Sequence, residues 1–226
     1  IGVRLVGSEM CIRDRKSSKR FMCFVWSVTK IRTVLLHKQF YKIPATGFLG
    51  IFATLQYPPE TILQHLNRAE GWAAGSKWGR FWHRPLPYAL ALGYRALLYP
   101  LLRRPWKVPC RLVTGHRVCV NLPAATDLYL LGCKTHPSEL RLARFLLRHL
   151  QPGNVVLDPG AHVGYFSLVA ASRVGAHGQV LAIEPAPEAF ALLQQNIRPC
   201  PNIRAFQLLL DQNDGERTFY RFAPRY

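Results

Sequence analysis

Two apolar runs that each end in an acid constrain this chain most. Val155-Val-Leu157 leads into Asp158, then Pro159-Gly160-Ala161-His162-Val163-Gly164, then a helix start at Tyr165-Phe166. Val180-Leu-Ala-Ile183 likewise ends in Glu184. Short continuous apolar runs separated by helical patterns read as strands of a parallel sheet with cover on both faces. A glycine turn between such a strand and the next helix is where an α/β protein builds a ligand crevice.

The same alternation carries on downstream. The periodicity predicts a strand over 155–157 and a helix over 165–173, closed by Gly175 and Gly178. A strand over 180–183 follows, then a helix over 187–197 with Phe190, Leu193 and Ile197 on one face, then a strand over 203–210. A turn at Asp211-Gln-Asn-Asp-Gly215 precedes one more strand-like run, 216–222. The expected fold class is α/β: a doubly wound, Rossmann-like sheet, incomplete, with strands one to three plus a short extra strand.

Upstream, Pro137 opens a helix whose apolar stripe is Leu140, Ala143, Leu147 and Leu150, stopped by Pro152-Gly153. Residues 111–122 read as a hairpin turning at Gly115-His116. Residues 86–102 carry Leu90, Tyr94, Leu97 and Leu98 at helical spacing, with Arg95 and Arg103-Arg104 beside them. Such a basic amphipathic helix either packs on its own domain or lies on a membrane surface; packing is the favoured reading. Trp72, Trp78 and Trp82 are expected to be packing residues. The domain division is then 1–15, 16–84, 85–135 and 136–226. Leu5 to Arg15 resembles the translation of a sequencing adapter, so residues 1–15 are set aside as an artefact. Residues 16–84 form a basic segment without assigned structure, and 85–135 a helix and hairpin ahead of a partial ligand-binding domain.

Net charge enters only through its distribution. The chain carries +18, but from Gln151 onward six Arg balance six acids and there is no Lys. The excess therefore lies in residues 1–150 and says nothing about the glycine loop, so no nucleic-acid partner is expected. The six cysteines form no C-x-x-C pair and no cluster with metal spacing, so no metal is expected. Such scattered thiols suit a reducing, cytoplasmic setting and buried, inert roles, with peripheral membrane contact through 86–104 as an open alternative.

The spacing discriminates between ligands. Gly160-Ala-His-Val-Gly164 lacks the middle glycine of a dinucleotide fingerprint, and no G-K-[ST] follows as in a P-loop. Gly160 and Gly164 allow unusual dihedrals and close approach. Amides near Gly164 to Phe166 suit a carboxylate. Asp158 suits an ammonium, and Glu184, twenty residues after Gly164, suits two ribose hydroxyls. Together these groups describe S-adenosylmethionine.

Asp158 to Leu168, Val180 to Phe190 and Leu192-Leu-Gln-Gln-Asn-Ile197 resemble the FkbM family of class I S-adenosylmethionine-dependent methyltransferases, which reads roughly D-x-G-A-N-x-G-Y-F, F-E-P-x-P and L-x-x-N. The resemblance spans roughly residues 108–226. It implies that Asp158, Gly160, Ala161 and Gly164 wrap the methionine end of the cofactor, that His162 and Tyr165 also belong to the cofactor site, that Glu184 holds the ribose, and that Asp211 approaches the adenine. It implies methyl transfer to a hydroxyl of a sugar, glycan or other small natural product. His162 stands where Asn is commoner, which suggests mildly pH-dependent cofactor affinity. Phe166 is expected in the core. The chain is expected to be a fragment lacking the later strands, with no catalytic base identifiable. A dinucleotide-dependent oxidoreductase and a non-catalytic, membrane-associated fragment are the alternatives.

Overall fold

The computed structural model describes residues 57–210 and the backbone of two short antiparallel strands, β1 (Thr33–Leu36) and β2 (Gln39–Lys42). The expected strand over 216–222 and Asp211 lie outside the described residues.

Residues 57–84 fold into two helices that the sequence reading leaves unassigned. Helix α1 (Pro59–Ala74) has proline in its first turn, where no amide is needed, and Glu60 at its positive end. Its Ile62, Leu66 and Ala69 repeat at i, i+4 and i+7 and are all buried. A short helix α2 (Lys77–His83) is capped by Ser76, whose hydroxyl accepts from the Gly79 amide at 3.1 Å. The expected helix over 86–102 forms in three contiguous pieces: α3 (Pro85–Gly93), a π turn (Tyr94–Leu98) and α4 (Tyr99–Leu102).

The hairpin turns at Gly115-His116 as expected, but its first strand lies earlier in the chain. Its strands are β3 (Trp106–Arg111) and β4 (Arg117–Leu122), antiparallel with Val108 opposite Val120. Arg111 therefore ends the first strand, and Leu112, Val113 and Thr114 form a buried turn that helix α5 (Thr126–Leu131) closes through Gly132. The Val113 amide donates to the Gly132 carbonyl at 2.9 Å. Helix α6 (Pro137–His149) follows, with Leu140, Ala143, Leu146 and Leu147 buried and Leu150 just beyond its end. His136 caps it, its Nδ1 accepting from the Ser138 amide at 3.4 Å. Arg144 of α6 donates to Asn67 Oδ1 at 2.9 Å and pairs with Glu70, fastening α6 to α1.

The parallel unit forms as expected. Strand β5 (Val155–Pro159) pairs with β6 (Gln179–Ile183), which pairs with β7 (Ile203–Phe206), all parallel and in the order β5-β6-β7. Helices α7 (Tyr165–Val174) and α8 (Pro187–Ile197) make the crossovers. Alternate strand residues face opposite sides. The unbroken burial of Val180 to Ile183 therefore means that β6 is covered on both faces. β7 ends at Phe206, and residues 207–210 do not continue it. One core joins Ile62 and Leu66 of α1 to Leu168, Leu193 and Ile203 of the parallel unit.

Candidate cofactor site

The register of β5 against β6 fixes the site's geometry. Asp158 lies opposite Ala182 and Pro159 opposite Ile183, so both acids emerge at the same end of the sheet. The loop between β5 and α7 is laced onto the end of β6. Gly160 and Ala161 amides donate to the Ile183 carbonyl at 2.7 and 2.9 Å, and the His162 amide donates to Glu184 Oε2 at 2.8 Å. These three amides hold the loop and are not offered to a ligand. In the first turn of α7 the Tyr165 and Phe166 amides have no intrahelical partner.

Two glycines are required here for different reasons. Gly164 has φ +91°, and a Cβ on it would meet Leu193 Cδ1 at 2.9 Å, so the loop rests directly on α8. Gly160 has φ +77° with nothing within 4 Å of where its Cβ would be. That open space is room in front of the backbone. His162 also has a left-handed backbone, φ +51°. Asn, Asp and His tolerate this region better than other side chains, which is a physical reason why Asn and His can exchange at this position.

Asp158 is 4 % exposed, and Ser167 satisfies it, its hydroxyl donating to Oδ2 at 2.5 Å. Burial pushes the Asp158 carboxyl up to about 6; the Ser167 hydroxyl and amide oppose the rise, and the charge of Glu184 adds to it. Glu184 is buried as well and accepts two amides, His162 on Oε2 and Ala186 on Oε1 at 2.9 Å. A carboxylate offers about four lone-pair sites, so each oxygen retains accepting capacity. His162 has an exposed side chain, yet desolvation by the loop walls, and then the charge of Lys134, lower its pKa below the ordinary value. Its imidazole is therefore neutral at pH 7.

Tyr165 sits in the core, 3 % exposed, edge-on to Phe166 with ring centroids 5.0 Å apart. Its buried hydroxyl lies against the Lys134 main chain without good hydrogen-bond geometry, and burial raises its pKa well above the ordinary value. Ala161 is buried beneath the loop. Phe166 is partly buried against the core, as expected.

Two residues matter here that the sequence reading does not assign to the site. Ser167 clamps Asp158. Asn196, 3 % exposed on α8, accepts from the Cys119 amide at 2.7 Å and donates to the Cys119 carbonyl at 3.0 Å and the Val163 carbonyl at 2.9 Å. It thereby ties the hairpin, the glycine loop and α8 together. Its signal is the L-x-x-N pattern of Leu193 to Asn196: a polar residue at a helical position whose neighbours are apolar. A cavity of about 520 Å³ lies elsewhere, among α1, α3, α5 and the start of α6, with Glu70, Arg84, Arg95 and Asp127 in its walls. It contains none of the loop residues, and its lining carries no chemistry that links it to them.

Three of the described thiols are held protonated by burial. Burial pushes Cys110 and Cys133 up to about 12 and Cys200 up to about 11. Among the described residues no group of three His, Cys, Asp or Glu side chains is arranged to hold a metal ion.

A parallel sheet, a glycine loop rising into a helix, and a buried acid at the end of each of the first two strands of that sheet suit an S-adenosylmethionine-dependent class I methyltransferase. Residues 134–226 match the family model for protein-L-isoaspartate(D-aspartate) O-methyltransferase. The chain is 33 % identical over 84 residues to protein-L-isoaspartate O-methyltransferase 1 of Arabidopsis thaliana, covering 36 % of each chain. It is 32 % identical over 82 residues to protein-L-isoaspartate O-methyltransferase of Caenorhabditis elegans, covering 35 % of this chain and 36 % of that one. It is 38 % identical over 78 residues to the AMB antimetabolite synthetase AmbE of Pseudomonas aeruginosa, covering 34 % of this chain and 4 % of that one. The chain thus spans about a third of the isoaspartate methyltransferases it matches. These matches support the methyltransferase class and S-adenosylmethionine as methyl donor, and they name isoaspartate methyltransferases where the motif resemblance pointed to FkbM.

Proposed function

We propose that this chain provides the S-adenosylmethionine-binding half of an O-methyltransferase whose acceptor is a carboxylate. The observation that carries the cofactor reading is the pair of buried acids on either side of a glycine loop that leaves open space at Gly160. In this reading the methionine carboxylate meets the Tyr165 and Phe166 amides at the positive end of α7. The methionine ammonium approaches Asp158, which Ser167 holds in place. The ribose hydroxyls donate to the remaining lone pairs of Glu184, while the amides it already accepts fix its rotamer. Asp211 approaches the adenine as an expectation of the family resemblance alone.

When bound, S-adenosylmethionine supplies an electrophilic methyl on a sulfonium. The acceptor oxygen forms a bond to that carbon as the carbon–sulfur bond breaks, and the pair of electrons stays on sulfur. The protein's contribution is alignment and exclusion of water. A carboxylate acceptor is ionised at neutral pH and needs no general base. A hydroxyl acceptor does need one, and in this reading both buried acids serve the cofactor. The two isoaspartate methyltransferase relatives support the carboxylate reading. The second reading, a hydroxyl of a sugar or natural product, draws on the FkbM-like motifs and on the similarity to a segment of an antimetabolite synthetase.

The test has two stages. Calorimetric titration of the chain with S-adenosylhomocysteine should give saturable binding that Glu184→Ala weakens about tenfold or more, the effect of losing two ribose hydrogen bonds. NAD binding in its place would overturn the cofactor reading. Labelled methyl transfer to an isoaspartyl peptide, set against a hydroxyl-bearing glycan, then decides the acceptor.

A further inference from the structure

Outside the glycine-loop unit, the least expected feature is the outer surface of the α2–α4 region. Leu86, Leu97 and Leu101 are 75, 73 and 79 % exposed, and Trp78 and Trp82 are both 72 % exposed. Packing was the favoured expectation for this helix, and only Ala91, Tyr94 and Tyr99 fulfil it. The π turn explains how one helix serves both surroundings. Five residues in an α-helix would rotate Tyr99 well away from Tyr94. The wide turn, closed by the Tyr99 amide on the Tyr94 carbonyl, brings both onto the buried side. The same turn leaves Leu97 and Leu101 on the outer side with Leu86 and Leu90.

The charge around this surface has one sign. Between Glu70 and Asp127 the sequence contains no acid, while it contains nine Lys and Arg. Arg95, Arg103, Arg104 and Lys107 are exposed and make no ion pair among the described residues. Exposed leucines and tryptophans beside unpaired cations suit the boundary between lipid tails and anionic headgroups. A groove for an acidic protein would have less use for so many flat apolar contacts. No described helix is long and apolar enough to cross a bilayer, so the fitting geometry is one of lying on it.

We infer that the α2–α4 surface is a docking face for an anionic membrane. Leucines and tryptophans enter the headgroup boundary, and Arg103, Arg104 and Lys107 meet lipid phosphates and carboxylates. The glycine-loop unit, which is neutral from Gln151 onward, contributes nothing to this attraction.

The experiment is co-sedimentation of the chain with phosphatidylcholine vesicles containing about one third phosphatidylserine, against phosphatidylcholine alone. Binding should require the anionic lipid and weaken with salt. Each cation lost near the surface should lower partitioning about fivefold, so Arg103→Gln, Arg104→Gln and Lys107→Gln together should lower it by about two orders of magnitude. The double variant Leu97→Ser, Leu101→Ser should lower it about tenfold or more, by removing two insertions. These side chains are exposed, so circular dichroism and the melting temperature should stay unchanged, which separates a surface effect from unfolding. Equal binding to neutral vesicles, no binding to anionic ones, or binding that survives both sets of substitutions would each overturn the inference. Self-association abolished by the Leu97 and Leu101 changes, without vesicle binding, would instead assign the face to a second copy of the chain and also overturn it.

Discussion

Leu193 on α8 and Leu101 on α4 are the same side chain on the same kind of element, yet one is 0 % and the other 79 % exposed. The difference runs through the two regions they belong to. In the parallel unit nearly every apolar residue faces a partner: β6 is covered on both sides, and α7 buries Leu168, Val169 and Val174. In α2–α4 most large apolar side chains face outward, and a few aromatic contacts secure the rest, such as Tyr94 against Trp106 with ring centroids 5.3 Å apart. Hydrophobicity thus encodes folding in one region and a surface in the other. The glycine-loop unit is built to hold a rigid shape for a small ligand. The helical region is built to present a face.

The comparison can be broken most sharply at the glycine loop. Gly164→Val forces a branched side chain into φ +91° and into Leu193. Backbone strain and overpacking together should cost about 3–6 kcal/mol. Denaturant unfolding should show that loss, and titration should show no S-adenosylhomocysteine binding in whatever remains folded. A matched pair of truncations sharpens the contrast directly. Leu193→Ala should cost about 2–5 kcal/mol through the cavity it leaves. Leu101→Ala should stay within about 0.5 kcal/mol. Equal losses in the two melts would mean that the outer surface is buried after all.

Asn196→Ala comes next. It strips partners from the Cys119 amide and carbonyl and the Val163 carbonyl, and should cost about 2–3 kcal/mol. Because Asn196 binds behind the loop, cofactor affinity should fall as well. A stability loss with unchanged affinity would show that it braces the hairpin alone.

The pH dependence is the finest probe. Burial raises the folded pKa of Asp158 from 3.8 to about 6. A carboxyl raised in this way favours the folded state at low pH. That contribution is complete below about 3.8 and is lost as pH rises through about 6, leaving an order-of-magnitude cost of about 3 kcal/mol at neutral pH. Asp158→Asn should therefore stabilise the ligand-free chain at pH 7.5 in a melting experiment while weakening cofactor binding. If the methionine ammonium meets Asp158, binding favours the ionised acid, and affinity for S-adenosylhomocysteine should rise with pH through about 6. His162 has a lowered pKa, so it should add a change only below the ordinary histidine range. A flat profile between pH 5 and 7 would remove Asp158 from the ammonium site.

Much of the parallel unit was legible because its signals are local. The acid at the end of each apolar run, the glycines, and Phe190, Leu193 and Ile197 at helical spacing each depend on a few neighbours, and the structure reproduces those elements to within a residue or two. The third strand is shorter than its apolar run, since pairing with β6 stops at Phe206 opposite Ile183. The first strand of the hairpin lies before its expected position because Leu112-Val-Thr114 looks like a strand. Its burial comes from a turn folded against Gly132, and Pro109 within β3 argues locally against pairing. Helix α1 had readable signals in Pro59, Glu60 and the spacing of Ile62, Leu66 and Ala69. The sequence reading assigns residues 16–84 no structure all the same. Trp78 and Trp82 were read as packing, and the structure exposes both. Aromatic residues suit a core and an interface equally well, so composition could not separate the two.

Sequence alone determined the alternation of strands and helices from Val155 to Ile203 and the placing of Asp158 and Glu184 at the ends of adjacent strands. Each of these follows from spacing along the chain. Only the tertiary structure decided that Ser167 occupies Asp158, that Asn196 joins three elements, that Tyr165 lies in the core, and that the leucines of α3 and α4 face outward. Those outcomes depend on which surfaces meet. An apolar residue carries the same transfer free energy whether its partner is another helix or lies outside the chain.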